Sequence, residues 1–184
     1  MLKPLKFAVS ITLLLVTIAL ILRVLTLGET SRRLLAWTLA LTMVVEMAAI
    51  LGQALRGQAS HFNTRTPFDA AVWTTMLVAI LVAFGVLVVI AGIATVRPIQ
   101  VEPVLAFAIR AGLWLLLLVA VSGFAMGGRG SHTVGAAGDL RVPHFFAMHG
   151  LQVLPVVALV SGRLPIGERA RWVVVGTTAL VWCA

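Results

Sequence analysis

The sequence predicts an all-α membrane protein, a polytopic bundle of transmembrane helices that forms a single domain over residues 1–184. Hydrophobic residues make up 61% of the chain and charged residues only 11%, whereas soluble domains are roughly 45–50% apolar and about 25% charged. The mean hydropathy is +1.10. The apolar residues gather in runs of the length that a helix needs to cross a bilayer, about 20 residues. These observations exclude a soluble globular domain and a disordered chain.

Five of the apolar runs are long enough to span the membrane, and a sixth is too short. The predicted spans are residues 5–27, 34–55, 67–96, 103–126 and 143–161, with a partial span over 172–184. The first run is too long for the apolar region of a signal peptide, and no small-residue cleavage site follows it, so we expect a first spanning helix. Because the sixth run is short at 1.5 Å per residue, we expect the chain to be truncated at its C-terminus.

Two of the predicted helices begin with recognisable capping residues. Thr66 precedes Pro67 and is followed three residues later by Asp69, a pattern that caps a helix N-terminus. Glu102 precedes Pro103 in a similar way. These residues predict where the third and fourth helices start.

The placement of the charged residues indicates that the loops contact the lipid bilayer. The formal net charge is +8, but the basic residues stand singly or in pairs between the apolar runs. This distribution is typical of loops that contact the anionic lipid headgroups of a bilayer, and it does not indicate nucleic acid. Cys183 is the single cysteine, which excludes an intrachain disulfide.

The second predicted span carries a polar stripe. Glu46 is the one acidic residue well inside an apolar run, and intramembrane carboxylates are functional-site candidates by default. Gln53 lies seven residues further on at almost the same azimuth, and Arg56 continues the stripe. Arg110, in the fourth span, offers the structural alternative, a buried ion pair with Glu46 that fixes helix register.

The alternation of the spans places all four histidines on the membrane face that carries the N-terminus. They are His61, His132, His144 and His149. Histidine is the commonest metal ligand and titrates near neutral pH, so this face is a candidate haem or transition-metal site or a proton relay, with solvated loop histidines as the alternative. His149 and Gln152 are three residues apart and share a helix face. A cluster of these two side chains with Glu46 and Gln53 is geometrically possible.

Four short segments carry a family resemblance. They are SHFN at 60–63, HTVG at 132–135, GDLRVPHF at 138–145 and MHGLQ at 148–152. In these segments the chain resembles a family of uncharacterised bacterial multi-pass membrane proteins. The resemblance implies a location in the bacterial cytoplasmic membrane and draws attention to the histidines, and it carries no reaction with it.

Three functions are compatible with these residues. The first is a haem- or metal-dependent redox site at the histidines, with Glu46 and Gln152 supporting the ligands. The second is a proton-coupled transporter or sensor in which Glu46 titrates. The third is a non-catalytic membrane subunit or assembly factor whose polar stripe contacts other membrane subunits. The lack of the broken-helix inverted repeats of many transporters slightly favours the first.

Overall fold

The computed structural model describes residues 2–129, 133 and 138–183, and it describes the chain as helices joined by short loops. The helices are α1 (Leu2–Val24), α2 (Glu29–Leu55), α3 (Pro67–Val96), α4 (Pro103–Arg129), α5 (Arg141–Met148), α6 (Gly150–Ser161) and α7 (Glu168–Cys183). Five segments are long and apolar enough to cross a membrane, namely α1 to α4 and the pair α5 and α6. The predicted all-α class with five full spans and a partial sixth is thereby confirmed, and the chain is a multi-pass membrane protein.

The predicted starts of α3 and α4 are confirmed by their capping hydrogen bonds. The backbone N–H of Asp69 donates to the hydroxyl of Thr66 at 3.1 Å, and the backbone N–H of Leu105 donates to the carboxylate of Glu102 at 3.1 Å. Each bond satisfies one of the backbone donors that the first turn of a helix leaves without a partner. The proline that follows each cap has no N–H to satisfy, so it suits the first helical position.

The chain divides into two compact units. The first contains Met1–Arg23 and Leu27–Ile90, and the second contains Val24–Thr26 and Ala91–Ala184. In the first unit, α2 buries one stripe of residues at heptad spacing, Leu39, Met43, Glu46, Ile50 and Gln53. Two polar side chains are therefore part of the buried face of this helix.

In the second unit, α4, α6 and α7 share an apolar core. Its buried residues are Val104, Ala108, Leu115, Leu154, Ala158 and Val175. Glycines let α4 and α6 approach closely, because a Cβ on Gly112 would lie 2.8 Å from the Cα of Leu151. Close backbone approach through glycine is a main way in which helices associate in lipid.

The fifth span is interrupted at His149. Here α5 ends, the N–H of His149 donates to the carbonyl of Phe146 at 3.1 Å in a tight turn, and α6 begins. The adjoining Gly150 has no room for a side chain, since its Cβ would lie 2.9 Å from the Trp182 ring. Pro155, which lacks a backbone donor, lies inside α6 and does not end it.

We expect Gly112→Ala to destabilise the second unit. The added methyl group must displace the backbone of α6, and overpacking of this kind costs about 1–3 kcal/mol. The measurement is thermal unfolding of the purified protein in detergent. Gly92→Ala is the matched control, because a Cβ on Gly92 meets nothing within 4 Å. Equal unfolding temperatures for the two variants would contradict the proposed close approach.

Candidate functional site

The end of α2 is shaped by a glycine that sets the direction of the following loop. Gly57 has a φ of 67°, and the N–H of Gln58 donates to the carbonyl of Gln53 at 2.9 Å while the N–H of Gly57 donates to that of Ala54 at 3.1 Å. This pair of bonds is a Schellman motif, which needs a left-handed residue that glycine supplies without strain. It leaves Arg56, the residue before the glycine, at the boundary between helix and loop.

A buried polar cluster joins this end of α2 to the start of α3, and Asp69 is at its centre. One carboxylate oxygen accepts hydrogen bonds from the Gln53 amide at 2.8 Å and from the Arg56 guanidinium at 2.8 Å. The other oxygen accepts a bond from the Thr66 hydroxyl at 2.7 Å. Arg56 also donates to the amide oxygen of Gln53. Gln53 and Asp69 are each only 2% exposed, so this cluster satisfies polar groups that would otherwise be buried without partners.

The outer side of this cluster opens on a small cavity of about 150 Å³ between α2 and α3. Its walls are mostly small or apolar, and the polar groups that reach it belong to Gln53 and Arg56. The Arg56 guanidinium lies 4.5 Å from the centre of the Phe68 ring, a cation–π contact that holds the charge at the cavity edge.

Below the cluster, Glu46 lies on the same buried stripe of α2. The side chain is seven residues before Gln53, about 10 Å along the helix at 1.5 Å per residue, and it is 6% exposed. Within the described part of the first unit, no residue donates a hydrogen bond or forms an ion pair with its carboxylate. Glu46 therefore differs from Asp69, whose charge is neutralised by Arg56 at 2.8 Å.

His61 lies in the loop after α2 and is packed among aromatic rings. Its ring centre is 5.7 Å from that of Phe7 and 5.7 Å from that of Trp73, and its Nδ1 is 2.9 Å from the Ser60 hydroxyl. The next residue, Phe62, has a φ of 56°, which is a strained conformation for a bulky side chain. Its ring packs edge-on against Trp73 at 4.8 Å, and this contact holds the turn.

In the second unit, His144 contacts α4. The Ser122 hydroxyl donates to the carbonyl of Val119 at 2.7 Å, and the His144 Nδ1 lies 2.9 Å from the Ser122 oxygen. Gly123 makes room for the ring, since a Cβ there would be 3.3 Å from the ring carbon Cε1. In the neutral tautomer whose Nδ1 carries the proton, the other ring nitrogen of His144, Nε2, is an acceptor.

His149 has a similar arrangement at the break between α5 and α6. Its Nδ1 donates to the carbonyl of Phe145 at 2.7 Å, because a carbonyl can only accept. The ring also packs on that of Phe145 at 4.3 Å between centres. A histidine held in this way presents Nε2 as a free lone pair, which is how metal-binding histidines are oriented.

The predicted site residues are divided between the two units. Glu46, Gln53, Arg56 and His61 belong to the first unit, and Gln53 and Arg56 are in direct contact. The second unit contains His144, His149, Gln152 and Arg110. His132 lies outside the described residues. The cluster of Glu46 and Gln53 with His149 and Gln152 stays a prediction.

Arg110 has a structural role within its own unit. Its guanidinium donates to the carbonyls of Ala94 at 2.7 Å and Arg97 at 3.4 Å. These carbonyls lie at or just beyond the C-terminal end of α3, where a positive charge is stabilised by the helix dipole. An ion pair of Arg110 with Glu46, the alternative raised by the sequence, stays a prediction.

Among residues 2–129, 133 and 138–183, no three side chains of His, Cys, Asp or Glu are grouped closely enough to hold a metal ion together. This observation concerns sites with three or more protein ligands. For a metal or haem iron held by one or two, the histidines described above each offer a single Nε2 atom.

The sequence interpretation missed two residues of these clusters. Asp69 was assigned only a capping role, although the capping pattern already placed a carboxylate at the entrance of an apolar helix. Ser122 had no signal beyond its polarity, because serine in a helix commonly bonds the carbonyl of its own preceding turn.

We expect Asp69→Ala to lower the stability of the protein markedly. The substitution leaves the buried amide of Gln53 without its acceptor, a loss of about 1–3 kcal/mol. Thermal unfolding in detergent measures the effect. The control is Glu29→Ala, which removes exposed ion pairs with Arg32 and Arg33, each at 2.7 Å, and should change the stability little because water screens exposed pairs. If both variants unfold at the same temperature, the buried cluster does not stabilise the fold.

Comparison of the chain with protein-family models, with curated proteins and with solved structures finds no match. The resemblance carried by the four short segments therefore stays a prediction. The function is inferred from the chemistry of the residues themselves.

Proposed function

We propose that the protein is a proton-coupled membrane transporter or sensor in which Glu46 is the group that gains and loses the proton. The observation that carries the proposal is the position of Glu46 in the middle of the buried stripe of α2, with no hydrogen-bonding partner in the described part of its unit. A carboxylate inside a membrane is costly, and one kept only for structure is expected to be paired.

The other acidic side chains of the chain differ from Glu46, because they have ion-pair or hydrogen-bonding partners. Four of them are paired with arginine inside their own unit: Glu29 with Arg32 and Arg33, Asp69 with Arg56, Glu102 with Arg171 and Asp139 with Arg141. Glu168 accepts a hydrogen bond from the Trp172 indole at 3.3 Å. The exception is the carboxylate that lies deepest in an apolar span. Its position is therefore better explained by a function than by helix packing.

The polar cluster lies between Glu46 and the end of α2, on the same buried stripe, with Ile50 between Glu46 and Gln53. Gln53 lies about 10 Å from Glu46 along α2, and its amide is bonded to Asp69 at the start of α3. Arg56 completes the cluster and is partly exposed, with 43% of its side chain accessible. Polar side chains spaced along one helix face can support a chain of water molecules through which a proton moves.

We expect Glu46→Gln to abolish proton movement without unfolding the protein, because glutamine keeps the size and polarity of the side chain but cannot exchange a proton. The measurement is acidification of the lumen of proteoliposomes that contain the purified protein and a pH-sensitive dye, after a pH gradient and a membrane potential are imposed. Glu29→Gln is the matched control, since it removes an exposed carboxylate from the start of the same helix.

Two results would count against the proposal. One is a wild-type protein that, folded in the vesicles, moves no more protons than empty liposomes. The other is a Glu46→Gln variant that moves protons as fast as the wild type does.

A second candidate is a haem or transition-metal site at the histidines. The observation that favours it is the orientation of His149, whose Nδ1 donates to the carbonyl of Phe145 at 2.7 Å and whose Nε2 is left to bind a ligand. His144 is oriented in the same sense by Ser122. Haem iron needs one or two such axial nitrogens, so it fits this donor set better than a metal held by three or four protein ligands.

We expect this second site, if it is used, to give the purified protein a Soret band or a stoichiometric metal content that His149→Ala removes. Absorption spectroscopy and elemental analysis of the same detergent sample measure both. Size-exclusion chromatography of His149→Ala checks that the variant is folded. A folded wild-type protein without chromophore or metal, after expression with added haem and metal salts, would exclude this candidate.

The proposed location is the bacterial cytoplasmic membrane. It is supported by the resemblance in the four short segments and by the exposed arginines between the spans, which suit anionic lipid headgroups. Other membrane subunits are possible partners of the apolar helix surfaces.

A further inference from the structure

An apolar groove runs between α4 and α7 in the second unit. It has a volume of about 330 Å³ and is lined by Phe107, Ala111, Leu115, Gly176, Ala179 and Leu180. The starts of the two helices lie side by side, because Arg171 pairs with Glu102 at 2.6 Å and the Trp172 ring contacts that of Phe107 at 5.4 Å. The two helices therefore run in the same direction, and the groove descends from their starts.

The groove exists because small residues face one another across it. Gly176 and Ala179 on α7 lie opposite Ala111 on α4. A Cβ on Gly176 would meet nothing within 4 Å, so the space beside this glycine is not filled by the protein. In a membrane span, an open apolar space of this kind is filled by hydrocarbon, since water in it would find no polar partner.

The upper end of the groove carries positive charge. Arg169 lies seven residues before Gly176, on the same face of α7 and about 10 Å nearer the start of the helix. Trp172 lies between them on that face, as tryptophan does at membrane interfaces. Arg163 belongs to the preceding loop, directly after Gly162, whose added Cβ would lie 3.0 Å from the Arg171 guanidinium.

The charged side chains near this end of the groove differ in whether another side chain engages them. Arg171 and Glu102 neutralise each other, and the Glu168 carboxylate accepts a bond from the Trp172 indole. Arg163 and Arg169 are exposed, and no hydrogen bond or ion pair engages their side chains within the described part of the chain. The Arg169 guanidinium is thus available to an anion at the head of the apolar groove.

We infer that this groove binds an anionic phospholipid. One acyl chain lies between α4 and α7 beside Gly176, and the phosphate lies on Arg169. The combination of an apolar channel and free arginines at the level of the headgroups is the arrangement by which membrane proteins select anionic lipids. This inference is independent of the proton site proposed for the first unit.

Native mass spectrometry of the full chain, released from detergent with defined amounts of added lipid, tests the inference. We expect one phosphatidylglycerol to bind more tightly than phosphatidylcholine. Arg169→Gln should weaken phosphatidylglycerol binding about fivefold, the effect of one basic residue near a headgroup, and should weaken phosphatidylcholine binding less, because the choline cation offsets the charge of its phosphate. Gly176→Leu should abolish the binding of both lipids, because the new side chain occupies the groove.

Two controls separate the site from general effects. Gly92→Leu places the same side chain on α3, where a Cβ also meets nothing within 4 Å, and Arg65→Gln removes an exposed arginine of the first unit. Both should bind lipid as the wild type does. Equal affinity of the wild type for the two lipids, or unchanged binding in Gly176→Leu, would overturn the inference. So would a dimer of the wild type that Gly176→Leu dissociates, since a second copy would then occupy the groove.

Discussion

A buried polar group in an apolar medium needs a partner, and the first unit is organised around one carboxylate that meets this need. Both oxygens of Asp69 are engaged, by Gln53 and Arg56 from the end of α2 and by Thr66 from its own cap. These bonds fix the rotation of α2 relative to α3, because Gln53 belongs to the buried stripe of α2. Once Gln53 faces Asp69, Glu46 must face the same way. The position of the proposed proton group is therefore a consequence of the cluster above it.

The second unit is held by close packing of small residues instead. Gly112 brings the backbone of α4 against that of α6, and Gly150 lets Trp182 pack where a side chain would otherwise stand. The Trp182 ring stacks on Phe146 at 4.1 Å, and its indole N–H donates to the Phe146 carbonyl at 3.1 Å. That bond lies next to the helix break at His149. A contact made by α7 therefore lies beside the turn from which the His149 side chain extends.

The apolar spans and the starts of α3 and α4 could be predicted from the sequence, because run length and capping residues are local properties. The start of α2 could not, since it lies at Glu29, five residues before the predicted apolar run. The shared azimuth of Glu46 and Gln53 followed from helical periodicity alone. The role of Asp69 as a hub did not, since its capping pattern says nothing about which side chains of α2 reach it. The break at His149 was not predicted either. In the sequence, Pro155 is the stronger signal for a helix break, because proline lacks a backbone donor. The break lies at His149 instead, next to Gly150, and the contact of Gly150 with Trp182 is tertiary and has no local signal.

The arginines of this chain have two structural roles. Several are committed to carbonyls at or near helix ends, where a cation opposes the helix dipole. Arg32 donates to the carbonyls of Leu22 at 3.0 Å and Leu27 at 3.2 Å, and Arg110 does the same for α3. Such residues are held by the backbone and are not free to meet lipid phosphates. The positive charge of the chain is therefore divided between arginines that are held by backbone carbonyls and exposed arginines such as Arg163 and Arg169.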